Sequence, residues 1–327
     1  MVEAVRNVLI TGGLGYVGGR IATHLTSSVP ELCLRLMTHR DAAAVPRWAM
    51  PLDIVSADVR DEQSLLSALE GIDTVIHLAA VNEIEAQRDP ELALEVNGKG
   101  TYNLLRACHS MGITRFVYFS TFHVYGPGAA QPITESTPTR PVHPYAFTHR
   151  LAEDLVNWYR HSCGMQVLIL RLSNGYGYPA DAGVDRWTLV FNDLCMQAVK
   201  NRAITLRSSG TQQRDFVSLA NIARGVHHFL DSPSETWGDG LFNFGGAHSM
   251  SILEVAELIA AEYQRSYGRE IAISVGDAED AQVTGPVVFD VQKLRQTGFC
   301  LEENMSEEVQ GTFRLCEELV RQGGQAG

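Results

Sequence analysis

Thr11-Gly12-Gly13-Leu14-Gly15-Tyr16-Val17-Gly18 sets glycines at 12, 15 and 18, a GxxGxxG spacing. Each glycine has its own use: the first permits a tight turn, the second lets backbone approach a pyrophosphate, and the third lets a helix pack closely on a strand. The helix that follows presents free N–H groups and a positive dipole end to phosphate. A glycine string alone is weak evidence, but this one follows the apolar run Val8-Leu9-Ile10 and opens a helical pattern at Tyr16. It therefore reads as a dinucleotide cradle, with Gly12, Gly15, Tyr16 and Val17 as candidate contacts. An acidic residue at the end of the second strand would mark NAD. That strand runs Leu34-Arg35-Leu36-Met37-Thr38-His39-Arg40, and Asp41 comes only after it. His39 and Arg40, beside Thr38, suit a 2′-phosphate and tilt the reading towards NADP. As solvated loop residues they leave NAD equally open.

A second region gathers hydroxyl, phenol and imidazole groups. It runs Phe119-Ser120-Thr121-Phe122-His123-Val124-Tyr125-Gly126 and continues at Pro144-Tyr145-Ala146-Phe147-Thr148-His149. On a helix, residues 145 and 149 share a face, whereas Arg150 lies about 100° further round.

These groups need a scaffold, and the hydrophobic pattern supplies one. Strands are expected at Val8–Ile10, Leu32–Met37, Leu52–Val55, Thr74–Leu78, Phe116–Phe119 and Val167–Leu170. Helices are expected at Tyr16–Thr26, Ser64–Leu69, Leu92–Ser110 and Tyr145–Tyr159. Strands alternating with helices imply a doubly wound, parallel α/β sheet of Rossmann type. Residues 1–171 form the expected dinucleotide-binding domain. Residues 172–327 form mainly a smaller substrate-binding lobe, with helices at Thr188–Val199, Ile252–Tyr263 and Ser306–Gln322. Short strands are expected at Ile204–Leu206 and Ile271–Ser274, and about 214–246 returns to the first domain.

The 327 residues are 45% hydrophobic and 20% charged, an ordinary globular balance, and the net charge of −12 offers no basic face for nucleic acid. No apolar run approaches the roughly 20 residues that span a bilayer. The N-terminus runs directly into a strand rather than a leader, and the six cysteines form no CxxC pair. A cytoplasmic protein with reduced thiols and no metal site is expected.

The ordered set of motifs resembles an extended short-chain dehydrogenase/reductase of the nucleotide-sugar epimerase/dehydratase type. The set comprises the glycine turn, Asp58-Val59, His77-Leu78-Ala79-Ala80, Asn97, Thr121, Tyr145, RLSNGYG from Arg171, RDFV from Arg214 and Phe242-Asn243-Phe244-Gly245. The resemblance implies that Asp58, Val59, Leu78, Ala79, Ala80, Asn97, Tyr145 and His149 join the cofactor contacts. It also implies that Thr121 holds the reacting oxygen and that Tyr145 is the acid/base. Position 149 is Lys in that family and His here. An imidazole near its ordinary pKa of about 6.5 is partly protonated at pH 7. His149 then replaces the lysine and shows its own titration, or the enzyme is slow or suited to an easier oxidation, or catalysis is lost while binding survives.

Family dehydratases carry an acidic residue just after the catalytic Ser/Thr, where this chain has Phe122 and His123. The resemblance thus favours an epimerase of a nucleotide-activated or related sugar. An NAD(P)H-dependent keto-sugar reductase or dehydrogenase is the alternative, and a non-catalytic dinucleotide-binding protein is the reading from another class. Asn82, Phe122, His123, Asn174 and Arg214 are the implied substrate contacts. The family's second phosphate-binding arginine is missing, since Thr284-Gly285-Pro286-Val287-Val288 stands in its place. The resemblance implies a homodimer through helices flanking the site; Leu151, Leu155 and Trp158 suit that face, and core packing accounts for them equally well.

Overall fold

A computed structural model describes residues 7–39, 45–276 and 285–323. Arg40 and Thr284 lie outside them. The first half runs β1 (Asn7–Thr11), α1 (Tyr16–Ser28), β2 (Cys33–Thr38), β3 (Asp53–Ser56), α2 (Glu62–Ala68), β4 (Thr74–His77), α3 (Glu83–Arg88), α4 (Pro90–Ala93), α5 (Thr101–Ser110), β5 (Arg115–Thr121), α6 (Pro144–Cys163) and β6 (Gln166–Leu172). The remainder runs β7 (Asn174–Tyr176), α7 (Val190–Asn201), β8 (Ala203–Leu206), β9 (Gln213–Ser218), α8 (Leu219–Asp231), β10 (Leu241–Phe244), β11 (Ser249–Ser251), α9 (Ile252–Tyr267), β12 (Ala272–Val275), α10 (Gln292–Gln296) and α11 (Met305–Gly323).

Seven strands form a parallel sheet in the order β10-β6-β5-β4-β1-β2-β3. Side chains alternate across it, as period-two strands require. Val8 and Ile10 pack into a layer with Ile21 and Leu25 of α1 and Val226 and Phe229 of α8. Leu9 faces the other layer, with Leu104 and Leu105 of α5 and Val156 of α6. Chain order reverses between β1 and β4, the switch point where ligands enter open α/β sheets.

The expected Leu92–Ser110 helix is interrupted, because residues Leu94–Gly100 adopt π-helical geometry between α4 and α5. Gly98 and Gly100 lie within that stretch, and a Cβ on Gly100 would strike Val59. The expected return of residues 214–246 needs a correction. Leu241–Phe244 does pair with β6, and α8 packs on α1. Gln213–Ser218, however, joins β7 and β11 in a separate three-stranded sheet, and β8 pairs with β12. A third core, with Tyr176, Phe191, Ile204, Phe216, Ile259 and Phe313, fills this lobe.

One buried ion pair ties the sheet's first helix to α11, and another locks α6 to β6 within the sheet domain. Arg20 of α1 donates to both oxygens of Glu308 in α11, at 2.9 and 2.6 Å. Glu308 also accepts from the backbone of Tyr178 and Ala220. Arg171 of β6 meets Glu153 of α6 through bonds of 2.8 and 2.7 Å.

Candidate active site

The glycine turn is built by close backbone contact. Gly12 has φ +67°, a conformation that costs glycine little. A Cβ on Gly18 would run into the Gly12 carbonyl oxygen, so this position lets α1 seat directly on the turn. Gly15 caps α1 without any side-chain bond, leaving the first-turn N–H groups open to an anion. Tyr16 can offer only its backbone, because its ring is buried and its hydroxyl donates to the Gly177 carbonyl at 2.7 Å. Val17 is half-buried on the helix's first turn.

Behind the turn, the Thr11 hydroxyl accepts from the backbone of Leu78 and Ala79, each at 3.1 Å. It bonds His77 Nδ1 at 2.7 Å. Thr101 gives its proton to the Asn97 carbonyl, so it receives His77 Nε2–H at 2.9 Å. Burial pushes the His77 pKa down to about 3, keeping the ring neutral. The end of β4 is thereby clamped against Gly12, with Ala80 exposed beyond it.

Thr38 is buried at the end of β2, and His39 is exposed within electrostatic reach of Asp58. Asp58 is chelated by Arg60, which holds its carboxyl below the usual range. The Val59 side chain lies in the core, so only its backbone can serve a ligand. Asn97 is 1% exposed. Its oxygen accepts Val81 N–H at 2.9 Å and its amide donates to Thr148 at 3.1 Å. Expected as a cofactor contact, it also braces the β4 loop against α6, which leaves its second amide hydrogen to face a ligand.

Thr121 ends β5 beside Tyr145 at the start of α6, and its hydroxyl oxygen accepts His123 N–H at 3.3 Å. Burial and the Glu83 carboxylate push the Tyr145 pKa up to about 12, while Arg186 and Thr121 pull it down. His149 is 4% exposed, with its ring edge-on to Tyr145 at 4.4 Å between centroids. Its Nδ1 lies 2.7 Å from the Tyr118 hydroxyl, and its Nε2 is buried without a partner. The expected part-protonation near pH 7 does not hold. Burial first, then His77 and His123, push the His149 pKa down to about 3. Beneath the pair, Glu153 accepts from Ser120 at 2.6 Å as well as from Arg171, locking α6 to β5 and β6.

The substrate side is less uniform. His123 stacks near Phe122, with centroids 4.2 Å apart, and faces His143 at 5.1 Å and Tyr145 at 6.1 Å. Burial, His143 and Arg214 push the His123 pKa down to about 4. Arg214 therefore reaches this end of the site, and it donates to Gln212 at 2.7 Å rather than pairing with neighbouring Asp215. Asn174 donates to the Asp215 carbonyl at 2.9 Å. Asn82, expected to face a sugar, caps α3, its oxygen accepting from Ile84 and Glu85. That leaves only its amide nitrogen to face a ligand.

Sequence reasoning missed Tyr118, His143, Glu83 and Arg186. His143 had a local signal, an N-cap position directly before Pro144-Tyr145. Tyr118 had only strand alternation, and the other two sit on elements distant in sequence.

The sequence model of the NAD dependent epimerase/dehydratase family matches residues 8–245. A dTDP-D-glucose 4,6-dehydratase of Mus musculus is 29% identical, over 77% of this chain and 71% of its own length. A UDP-glucose 4-epimerase of Streptomyces lividans is 28% identical, over 77% and 79%. In fold the chain is similar to a UDP-N-acetylglucosamine 4-epimerase of Methanobrevibacter ruminantium, with a TM-score of 0.81, 22% identity and coverage of 97% and 100%. With the glycine cradle at the switch point and the Thr121–Tyr145 pair beside it, this match places the chain in the NAD-dependent epimerase/dehydratase family.

Proposed function

We propose that this chain is an epimerase of a nucleotide-activated sugar, working through transient oxidation of a carbinol carbon. The observation that carries the reading is Thr121 beside Tyr145 at the open end of the sheet, near enough to lower the phenol's pKa. The uncapped start of α1 and the unpartnered His149 Nε2 both fit a dinucleotide, whose phosphates and hydroxyl oxygens would meet them. Gly12, Gly15, and the backbone of Tyr16 and Val17 would hold the phosphates. Asp58, Val59, Leu78, Ala79 and Ala80 would line the remainder. A bound nicotinamide supplies a reversible hydride acceptor, which permits inversion without net redox change.

Tyr145 takes the proton from the substrate hydroxyl and later returns it, while Thr121 holds the same oxygen. From a pKa of about 12, half-ionisation at pH 7 would cost about 7 kcal/mol. The neutral His149 supplies no charge to offset that. Only the ionised minority of Tyr145 can take that proton, so turnover rises towards alkaline pH with no break near 6.5. His123, Phe122, Asn174 and Arg214 line the sugar and phosphate end. With no carboxylate at 122 or 123, dehydration is not favoured.

The test is incubation with UDP- and dTDP-sugars and catalytic NAD. The expected outcome is an isomer formed without stoichiometric absorbance change at 340 nm, reduced at least about 1,000-fold by Tyr145→Phe, the upper part of the acid–base range. Stoichiometric cofactor consumption would favour a reductase. Cofactor binding without turnover across the panel would favour a non-catalytic protein. With no carboxylate ending β2, NADP is expected to bind at least as tightly as NAD. A tenfold preference for NAD would overturn that part.

The chain is further proposed to act as a homodimer in a reducing, cytoplasmic setting. Phe147, Leu151 and Trp158 of α6 are 38%, 41% and 51% exposed, at spacings that share one face, and Leu94 is 44% exposed. The partly buried Leu155 continues that face. Light scattering should give twice the chain mass, and Leu151→Glu should give monomers. A monomeric parent chain would sink the proposal. Cys33, Cys163 and Cys300 are exposed free thiols, and no described helix is long and apolar enough to cross a membrane.

A further inference from the structure

The geometry points to Tyr118 as a positioning residue that fixes His149 in its Nε2–H tautomer, aiming one neutral donor at a hydroxyl oxygen of the bound dinucleotide. The inference rests on the epimerase reading for the identity of that ligand.

The argument is an accounting of protons. Tyr118 is 3% exposed, and its hydroxyl bonds His149 Nδ1 at 2.7 Å. A phenol can donate one proton, and a neutral imidazole has one donor and one acceptor nitrogen. If Tyr118 accepted from Nδ1–H, its own proton and the Nε2 lone pair would both be buried without partners. If Tyr118 donates to Nδ1, only Nε2–H is left over. Buried polar groups are rarely left unmet, so the second arrangement is favoured. The ring stays neutral at every working pH, because burial holds its pKa near 3.

The fold makes Tyr118 the residue able to do this. Tyr118 and Ser120 alternate with Phe119 on β5 and face α6, where Ser120 bonds Glu153. Glu153 is one helical turn beyond His149 and is pinned by Arg171. The strand thus grips the helix at two points four residues apart, and the ring of His149 is held edge-on to Tyr145. Nε2 is left with no protein partner, so its acceptor must come from a ligand. A lysine at this position would carry a charge and three rotatable donors and would need no such partner.

The experiment uses the full-length chain. Nitrogen-15 NMR of the His149 ring should show protonated Nε2 and bare Nδ1, unchanged between pH 6 and 8. Tyr118→Phe should give mixed tautomers and weaken NAD binding about tenfold, the scale of one lost hydrogen bond. In the His149→Lys background Tyr118→Phe should leave NAD affinity unchanged within twofold. Should His149→Lys fold poorly, His149→Gln serves equally, since its amide donates without a tautomer. Equal losses in the parent and either background would mean that Tyr118 only supports packing, and would overturn the inference. So would a parent ring protonated at Nδ1. A chain that binds no dinucleotide would overturn the functional reading and remove the acceptor. A chain that binds it, with tautomer and affinity indifferent to Tyr118→Phe, would overturn this inference alone.

Discussion

Asp215 shows how one buried carboxyl sets a local cost. It is 3% exposed, and burial pushes its pKa up to about 6 although Ser173, Gly246 and His248 pull the other way. A folded pKa above the unfolded value means that the stabilising contribution is present below pH 4 and is lost as pH rises through 6. Above that, the ionised carboxylate costs on the order of 2–3 kcal/mol. Asp215→Asn should therefore raise the unfolding free energy by about 2 kcal/mol at pH 7.5 and leave it nearly unchanged at pH 4. Urea titrations at both values decide this, and an equal effect at both would refute it. The adjacent Arg214 was legible in the sequence as a guanidinium, but not its bond to Gln212. Arg214 and Asp215, though adjacent, do not pair, because successive strand residues face opposite sides. Asn82 and Asn97 illustrate a related limit. Their types suit ligand binding, but a helix cap and a buried brace use the same amide chemistry.

At the scale of elements, α1 is held by more than its apolar face. Arg20 and Glu308 are 9% and 1% exposed, and Glu308 also receives backbone donors from the start of α8. Glu308→Gln strands a buried guanidinium and should cost about 3–5 kcal/mol. Adding Arg20→Met should recover a large part, because the pair's own desolvation is then relieved as well. Failure to recover, measured by urea unfolding, would place the loss in the Tyr178 and Ala220 contacts instead. Neither partner could be found from the sequence, because no periodicity relates residues so far apart. What could be read were the elements with local rules. The strands β1, β4, β5 and β6 are short continuous apolar runs, and α1 opens on glycine. The helix α8, which covers α1, follows Ser218 as its cap, a signal that was available but was masked by the RDFV strand before it.

For the whole molecule, three neutral imidazoles dominate the response to acid. His77, His149 and His123 are pushed down to about 3, 3 and 4. Their folded values lie below the unfolded 6.5, so the stability they represent is complete above that pH and is lost as pH falls towards 3–4. Near pH 5 the unfolded chain binds three extra protons there, and Asp215 offsets one. Stability should then fall by about 3 kcal/mol per pH unit. Chemical denaturation at pH 7, 6 and 5 measures this directly, and a slope under about 1 kcal/mol per unit would mean that the rings are hydrated. Fold class could be read in full because it follows from alternation and glycine placement. The protonation pattern could not, since it follows from depth.

The tie between α1 and α11 sets an order of events during synthesis. The ribosome delivers Arg20 long before Glu308, so α1 waits with its charge unanswered and without α8 over its apolar side. A piece ending near residue 171 should thus behave as an aggregation-prone fragment rather than a small nucleotide binder, and completion of the cradle becomes a late step that needs α11 in place.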